Sequence, residues 1–193
     1  MRNVIYVYMK EPAVRVLGPG KRYVLWVQGC ERNCPGCIAD NAHDMEAGTP
    51  IPIDALALEI ALSDAEGLTV SGGEPFLQAE ELAEMIRQIR ARRPMGVIVY
   101  TGNLYEDLVK TPGTQGLLAQ TDLLIDGPYI REQDDGKSLR GSANQRILPL
   151  TELYREELAA YGAEGREREL FYHGIHVHEI GIPKHHAQGE ENP

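Results

Sequence analysis

All three cysteines of this chain, Cys30, Cys34 and Cys37, fall within the stretch GCERNCPGC at 29–37. Thiolates are soft ligands suited to zinc, copper and iron–sulfur clusters, and an odd, clustered set is a poor disulfide framework. Structural zinc takes four ligands in a tetrahedron, and His43 is the nearby residue that would make a Cys3His site. Structural zinc usually ties separate strands or knuckles together, whereas here every thiolate lies on one loop. A [4Fe–4S] cluster normally has four cysteines. With three, one iron is left open to a small molecule. Pro35 and Gly36 suit a tight loop, because Pro fixes φ and Gly permits positive φ, so that backbone N–H groups can turn towards a cluster.

The elements that must position this loop alternate as strand and helix, the order of an α/β protein with mainly parallel strands. NVIYVY at the start and YVLWVQ at 23–28 read as strands, the second running into the cysteine loop. At 54–64 the leucines alternate like a strand, but the alanines and Asp54 as N-cap favour a helix. LTV at 68–70 reads as a buried strand ending in SGGEP. Residues 79–93 carry an apolar face of Leu82, Met85, Ile86 and Ile89, with acids early, arginines late and Pro94 as the stop, which predicts a helix. Strands are expected at 96–102 and 121–127, a short helix near 104–110, a long polar connection at 128–146 and a helix at 151–162. REREL and IHVHEIGIP suggest a hairpin, followed by a frayed tail. Four strand ends thus carry Gly-rich or polar clusters, and in parallel α/β architectures ligands bind at the carboxyl ends of strands.

The Cys-x3-Cys-x2-Cys loop resembles the signature of the radical S-adenosylmethionine (radical SAM) enzymes. SGGEP at 71–75 matches their glycine-rich segment. GPGKRYVLWVQGCERNCPGC at 18–37 and LLIDGPYIREQDDGKSLRGSANQRI at 123–147 are similar to the activating proteins of glycyl-radical enzymes, chiefly those of anaerobic ribonucleotide reductase. The resemblance spans roughly 14–148. It implies a partial (β/α) barrel, with Cys30, Cys34 and Cys37 holding a [4Fe–4S] cluster whose open iron is chelated by SAM. It also implies that Gly72 and Gly73 admit the methionine part of SAM and that Glu74 meets its ammonium group. Thr101, Asn103 and Asp126 are expected to contact SAM or the substrate; Arg140, in RGSANQR, is expected to pair with the SAM carboxylate or to order the substrate's loop, with a plain structural role as the equal alternative. Where many relatives carry Lys two residues after that Asp, this chain has Pro128, which counts against a charge-paired role there. The chemistry implied is reductive cleavage of SAM, with a flavodoxin- or ferredoxin-type electron donor and a glycyl-radical enzyme as protein substrate.

The organisation expected is a radical SAM core at 1–148 and a C-terminal extension at 149–193, packed on the same domain. The extension holds five of the six histidines, and HVHE at 176–179 has metal-ligand types on one strand face; a polar, exposed face is the plainer reading. A net charge of −10 argues against binding a phosphate backbone. Arg87, Arg90, Arg92 and Arg93 read as cations at a helix C-terminus. No apolar run approaches the roughly 18 residues of a membrane span, and the first residues lack signal-peptide character, so a cytoplasmic protein is expected. Two other functions compete: a radical SAM enzyme that modifies a peptide or metabolite, and a non-catalytic zinc- or cluster-binding protein. A neighbouring gene for a glycyl-radical enzyme would separate the first from the activase. A silent Glu74→Ala would favour the second.

Overall fold

The computed structural model describes residues 3–161 and 165–183, with backbone only at 159–161. Its centre is a run of four parallel strands, β2 (Arg22–Val27), β4 (Gly67–Gly72), β5 (Gly96–Tyr100) and β6 (Leu123–Asp126). Antiparallel strands flank this run. β1 (Val4–Val14) pairs with β2 and with β3 (Thr49–Pro52) on one side, and β7 (Arg146–Pro149) pairs with β6 on the other. The order across the sheet is therefore β3-β1-β2-β4-β5-β6-β7. β3 and β7 are not in the sequence expectation. TPIP and RILP are too short and too proline-rich to read as strands, and both sit at sheet edges, where a missing N–H costs no ladder bond.

Strand alternation divides the buried residues between two faces. Tyr23, Leu25, Val27, Leu68, Val70, Val97, Val99 and Leu124 point to one face, where they meet α1 (Ile53–Leu62) and α2 (Ala79–Arg90). Helix wins over strand at α1 because Ile53, Leu56, Ala57 and Ile60 form one buried stripe, while Leu58 and Leu62 stay exposed. In α2 the expected face of Leu82, Met85, Ile86 and Ile89 is buried. Its arginines act locally: Arg90 reaches Asp122 at 2.6 Å and Arg87 reaches Glu84 at 2.8 Å, while Arg92 donates to the Gln88 carbonyl and Arg93 to that of Ala65. Two short helices, α3 (Tyr105–Leu108) and α4 (Gln115–Leu118), link β5 to β6.

The opposite face is covered by the C-terminal part. Tyr154, just before α5 (Arg155–Tyr161), packs on Ile98, Leu123 and Ile125. The hairpin β8 (Glu169–His173) and β9 (His176–Ile180) places Ile180 against Val14, Leu17 and Val24. Glu11 takes a 2.6 Å contact from His173, and Arg15 N–H donates to Glu169 at 2.6 Å, fastening the hairpin to β1. His176 and Val177 are exposed, as is His178; among the described residues no group of three or more His, Cys, Asp or Glu converges as a metal ion requires. His185, His186 and the expected tail lie outside the described residues. Among the described residues no helix is long and apolar enough to cross a membrane.

Candidate functional site

β2 delivers the cysteine loop, and the loop closes back on the strand that made it. Gly29 N–H donates to the Ala42 carbonyl at 2.8 Å and Cys30 N–H to that of His43 at 3.0 Å. Between these anchors Gly29, Asn33 and Gly36 all have positive φ, at 98°, 47° and 74°. Glycine, and to a lesser degree asparagine, adopt that region at low cost. Cys37 N–H donates to the Cys34 carbonyl at 3.1 Å around Pro35–Gly36, the tight turn expected there. Buried Gln28 braces the return stretch by donating to the Asp44 carbonyl at 2.9 Å.

The three thiols are half-buried and face one cavity. Burial pushes the Cys30 and Cys37 thiols above their ordinary pKa. Neighbouring Glu74 and Cys34 add to this for Cys30, and Cys34, Cys30 and Asp40 add to it for Cys37. Thiols raised in this way are held unfavourably as free thiolates and gain from a cationic metal centre, which deprotonates its sulfur ligands outright. The cavity is open, with about 850 Å³ of space free of protein atoms when the solvent at its mouth is included. It lies at the carboxyl ends of β4, β5 and β6, which contribute Ser71–Glu74, Tyr100–Gly102 and Gly127.

Gly72 and Gly73 are demanded by their own neighbours. A Cβ on Gly73 would stand 2.1 Å from the Gly29 carbonyl oxygen, and one on Gly72 2.5 Å from the Val27 backbone. The end of β4 therefore presses on the root of the cysteine loop, and Gly73 N–H and Glu74 N–H bond to the carbonyls of Val27 and Gly29, each at 2.8 Å. This is a different reason for the glycines from the approach of methionine expected above.

Glu74 is 5 % exposed. Its Oε1 accepts from Phe76 N–H at 3.0 Å and from the Thr101 hydroxyl at 2.8 Å, and its Oε2 accepts from Gly102 N–H at 2.9 Å. Burial raises its pKa against these three donors. A carboxylate has about four acceptor sites, and three are taken here, two of them tying the β4 end to the β5 end. Little is left for a ligand's ammonium group. Thr101 also accepts from Asn103 N–H at 3.0 Å, so Asn103 is held by the same knot without itself lining the cavity.

Asp126 and Arg140 are not brought to the cavity. Asp126 is fully buried and shares the parity of Leu124, so it points to the helix side of the sheet. There it accepts from Arg146 Nε at 2.9 Å, from Arg146 Nη2, and from Tyr105 N–H at 2.8 Å. Arg140 pairs with Asp135. The rest of RGSANQR knits the loop: Ser142 accepts from Ile130 N–H, Asn144 donates to the Pro128 carbonyl, and Gln145 accepts from Gly141 N–H and donates to the Gly127 carbonyl. Pro128 thus stands as a turn residue in a bonded loop.

Several contributors were not picked out from sequence. Arg32, inside the cysteine motif, donates to Asn103 at 2.5 Å, and a Cβ on Gly102 would meet its Cδ at 2.4 Å. It lies across the cavity from the thiols' loop to the β5 end. Tyr100, Ile182 and Pro183 also line the cavity. For Tyr100 the alternation with Ile98 was a usable signal; for the other two no local signal exists.

The donor set fits a four-iron cluster. Each thiolate binds its own iron, so the thiols need not converge on a single point as they would around zinc. His43, the fourth zinc ligand considered above, has its Nδ1 3.1 Å from Asn33 Oδ1. Residues 16–148 match the family model described as a 4Fe-4S single cluster domain. The anaerobic ribonucleoside-triphosphate reductase-activating protein of Enterobacteria phage T4 is 33% identical over 147 residues, covering 73% of this chain and 92% of that one. The protein of the same name from Haemophilus influenzae is 34% identical over 146 residues, 70% of this chain and 92% of that one. The pyruvate formate-lyase-activating enzyme of Staphylococcus epidermidis is 30% identical over 155 residues, 74% of this chain and 60% of that one. The chain belongs to this 4Fe–4S family of radical SAM activating enzymes.

Proposed function

We propose that this protein is a radical SAM activase that installs a glycyl radical on a partner enzyme, of which anaerobic ribonucleoside-triphosphate reductase is the best candidate. The observation that carries the reading is the meeting of all three thiols with the Ser71–Glu74 and Thr101–Gly102 strand ends in one open cavity. A [4Fe–4S] cluster with one iron free for SAM supplies one-electron cleavage of the sulfonium, the source of the radical. Cys30, Cys34 and Cys37 would hold it.

The chain's own residues do the positioning. Glu74 locks two strand ends together, so the cavity floor is organised before a ligand arrives, and such preorganisation lowers the cost of binding. The half-buried Gly72–Gly73 segment and the Thr101–Gly102 turn line the cavity where the resemblance assigns the amino-acid end of SAM. Arg32, whose Nε stands 4.0 Å from Glu74 Oε2, brings a positive charge to the same wall, suited to a carboxylate. Ile38 and Tyr129 provide apolar lining, which helps keep water from a reactive centre. The open mouth suits a loop of another protein.

The same reading includes a sheet curled as a partial barrel, a core at 1–148 with the remainder as an extension, a flavodoxin- or ferredoxin-type electron donor and a cytoplasmic setting. The test is made on anaerobically purified, iron–sulfide-reconstituted protein. About four irons per chain, with 5′-deoxyadenosine formed on adding SAM and dithionite, are expected, and Cys34→Ala should lose both. One zinc per chain and no cleavage of SAM would overturn the reading. Cleavage of SAM without radical transfer to the reductase would redirect it to a peptide- or metabolite-modifying enzyme.

A further inference from the structure

The family match ends at residue 148, yet Ile182 and Pro183 line the cavity. The densest link between them and the core is one side chain, beside the Arg166 N–H bond to the Gly136 carbonyl at 3.2 Å and the bridge between Lys137 and Gly165. Arg166 is 6 % exposed, and its guanidinium spends all five N–H groups inside the protein. Nη1 donates to the Asp134 carboxylate at 2.9 Å and to the Pro183 carbonyl at 2.7 Å. Nη2 donates to the carbonyls of Arg140 and Gly141 at 2.8 and 2.7 Å. Nε is shared between the carbonyls of Lys137 and Arg140, at 3.2 and 3.1 Å. Of these partners, Asp134, Gly141 and Pro183 are themselves cavity residues.

Burying a guanidinium to steady a surface hairpin is a poor bargain, because the desolvation is large and an apolar residue packs as well. What a buried arginine adds is geometry: a rigid fork that fixes several acceptors at once. Here those acceptors belong to two chain segments, the 134–141 loop and Pro183, that both reach the cavity. The hairpin then returns the chain so that Gly181 lies beside Glu167, where a Cβ would stand 2.5 Å from the Glu167 carbonyl oxygen. Ile182 is meanwhile anchored on the apolar cluster of Val14, Leu17 and Val24.

We propose that Ile182–Pro183, carried by the segment 165–183, form a fixed wall of the SAM cavity, with Arg166 as the positioning residue that locks them to the 134–141 loop. The proposal rests on the functional reading above. It makes the segment beyond the matched family region a part of the site.

The test compares wild type, Arg166→Met, Arg166→Lys and Ile182→Ala as full-length, cluster-reconstituted proteins. Amide hydrogen exchange and equilibrium dialysis of SAM are read on each. In Arg166→Met, exchange across 134–145 should rise at least tenfold while β2 and β4 keep their protection, and the SAM Kd should rise about tenfold. Arg166→Lys, with three donors in place of a five-donor fork, should recover only part of both. Ile182→Ala keeps the clamp and should weaken SAM about threefold without raising exchange at 134–145. Unchanged exchange in Arg166→Met, or raised exchange with an unchanged SAM Kd, overturns the proposal. If Arg166→Met does not fold, an unchanged Kd in Ile182→Ala overturns it. Failure of the wild type to bind SAM would sink the functional reading instead, and the exchange arm would still show whether Arg166 holds the two segments.

Discussion

Glu74 and Asp126 are both buried carboxylates at the carboxyl ends of parallel strands, two strands apart in the sheet. One belongs to the cavity and the other does not. Glu74 stands past the end of β4, in a turn pressed against the cysteine loop, and binds the β5 end. Asp126 is still inside β6, and strand alternation points it to the helix face, where Arg146 and the Tyr105 amide take its oxygens. Both are carboxylates at strand ends; a turn position past the strand for one and strand parity for the other separate a site residue from a rim brace. The Arg146 partner of Asp126 is 40% exposed, whereas the donors to Glu74 are mainly backbone amides.

The comparison is tested most sharply at Glu74. In Glu74→Gln one carboxylate oxygen becomes an NH2 group, and a donor then faces the amide of Phe76 or Gly102. An unsatisfied buried donor costs about 1–3 kcal/mol, and the two strand ends it joined both line the cavity. The expected outcome is a lowered melting temperature together with a SAM Kd raised tenfold or more. Wild-type SAM affinity in this variant would break the idea that the carboxylate organises the floor.

Asp126→Asn should separate the two effects. Stability is expected to fall by about 1–2 kcal/mol, towards the lower part of the range for a disturbed buried partner because Arg146 can turn to water or to Glu106. SAM affinity should stay within twofold. A tenfold loss in dialysis would mean that Asp126 reaches the ligand after all, and that parity is the wrong criterion.

Much of this was legible in the sequence, and unevenly so. The Cys-x3-Cys-x2-Cys loop, the glycine pair and the helix at α2 are local patterns, and local patterns survive folding. The carboxyl-end rule located the cavity. What failed were inferences about where a side chain points. Asp126 was assigned to the site from its place in a motif, although counting alternate residues from Leu124 would have turned it away. Gly72 and Gly73 line the cavity, and the structure adds a reason for them that no local pattern carries, because a close approach between strand ends is a tertiary fact. The edge strands β3 and β7 carry prolines and little alternation. Ile182 and Pro183 could not be found at all: their place in the cavity depends on Arg166, and no pattern links residue 166 to residues 134–141.

The smallest effect is expected at the outer end of the Asp126 brace. Arg146 also donates to Glu106, at 2.9 Å from Nη1 and 2.8 Å from Nη2, and this bidentate pairing holds the Glu106 carboxyl down at about 2, against its ordinary 4.5. A carboxylate with a lowered folded pKa adds stability above its unfolded value, and that contribution is lost as pH falls from about 4.5 towards 2. Glu106 is exposed, so solvent and salt weaken the pair. Glu106→Gln should therefore melt slightly below wild type at pH 7, and the gap should narrow with added salt and close as the pH approaches 2. A gap that persists at pH 2 would assign the difference to packing at the start of α3 and remove Glu106 from the rim brace, leaving Asp126 as the partner that holds Arg146.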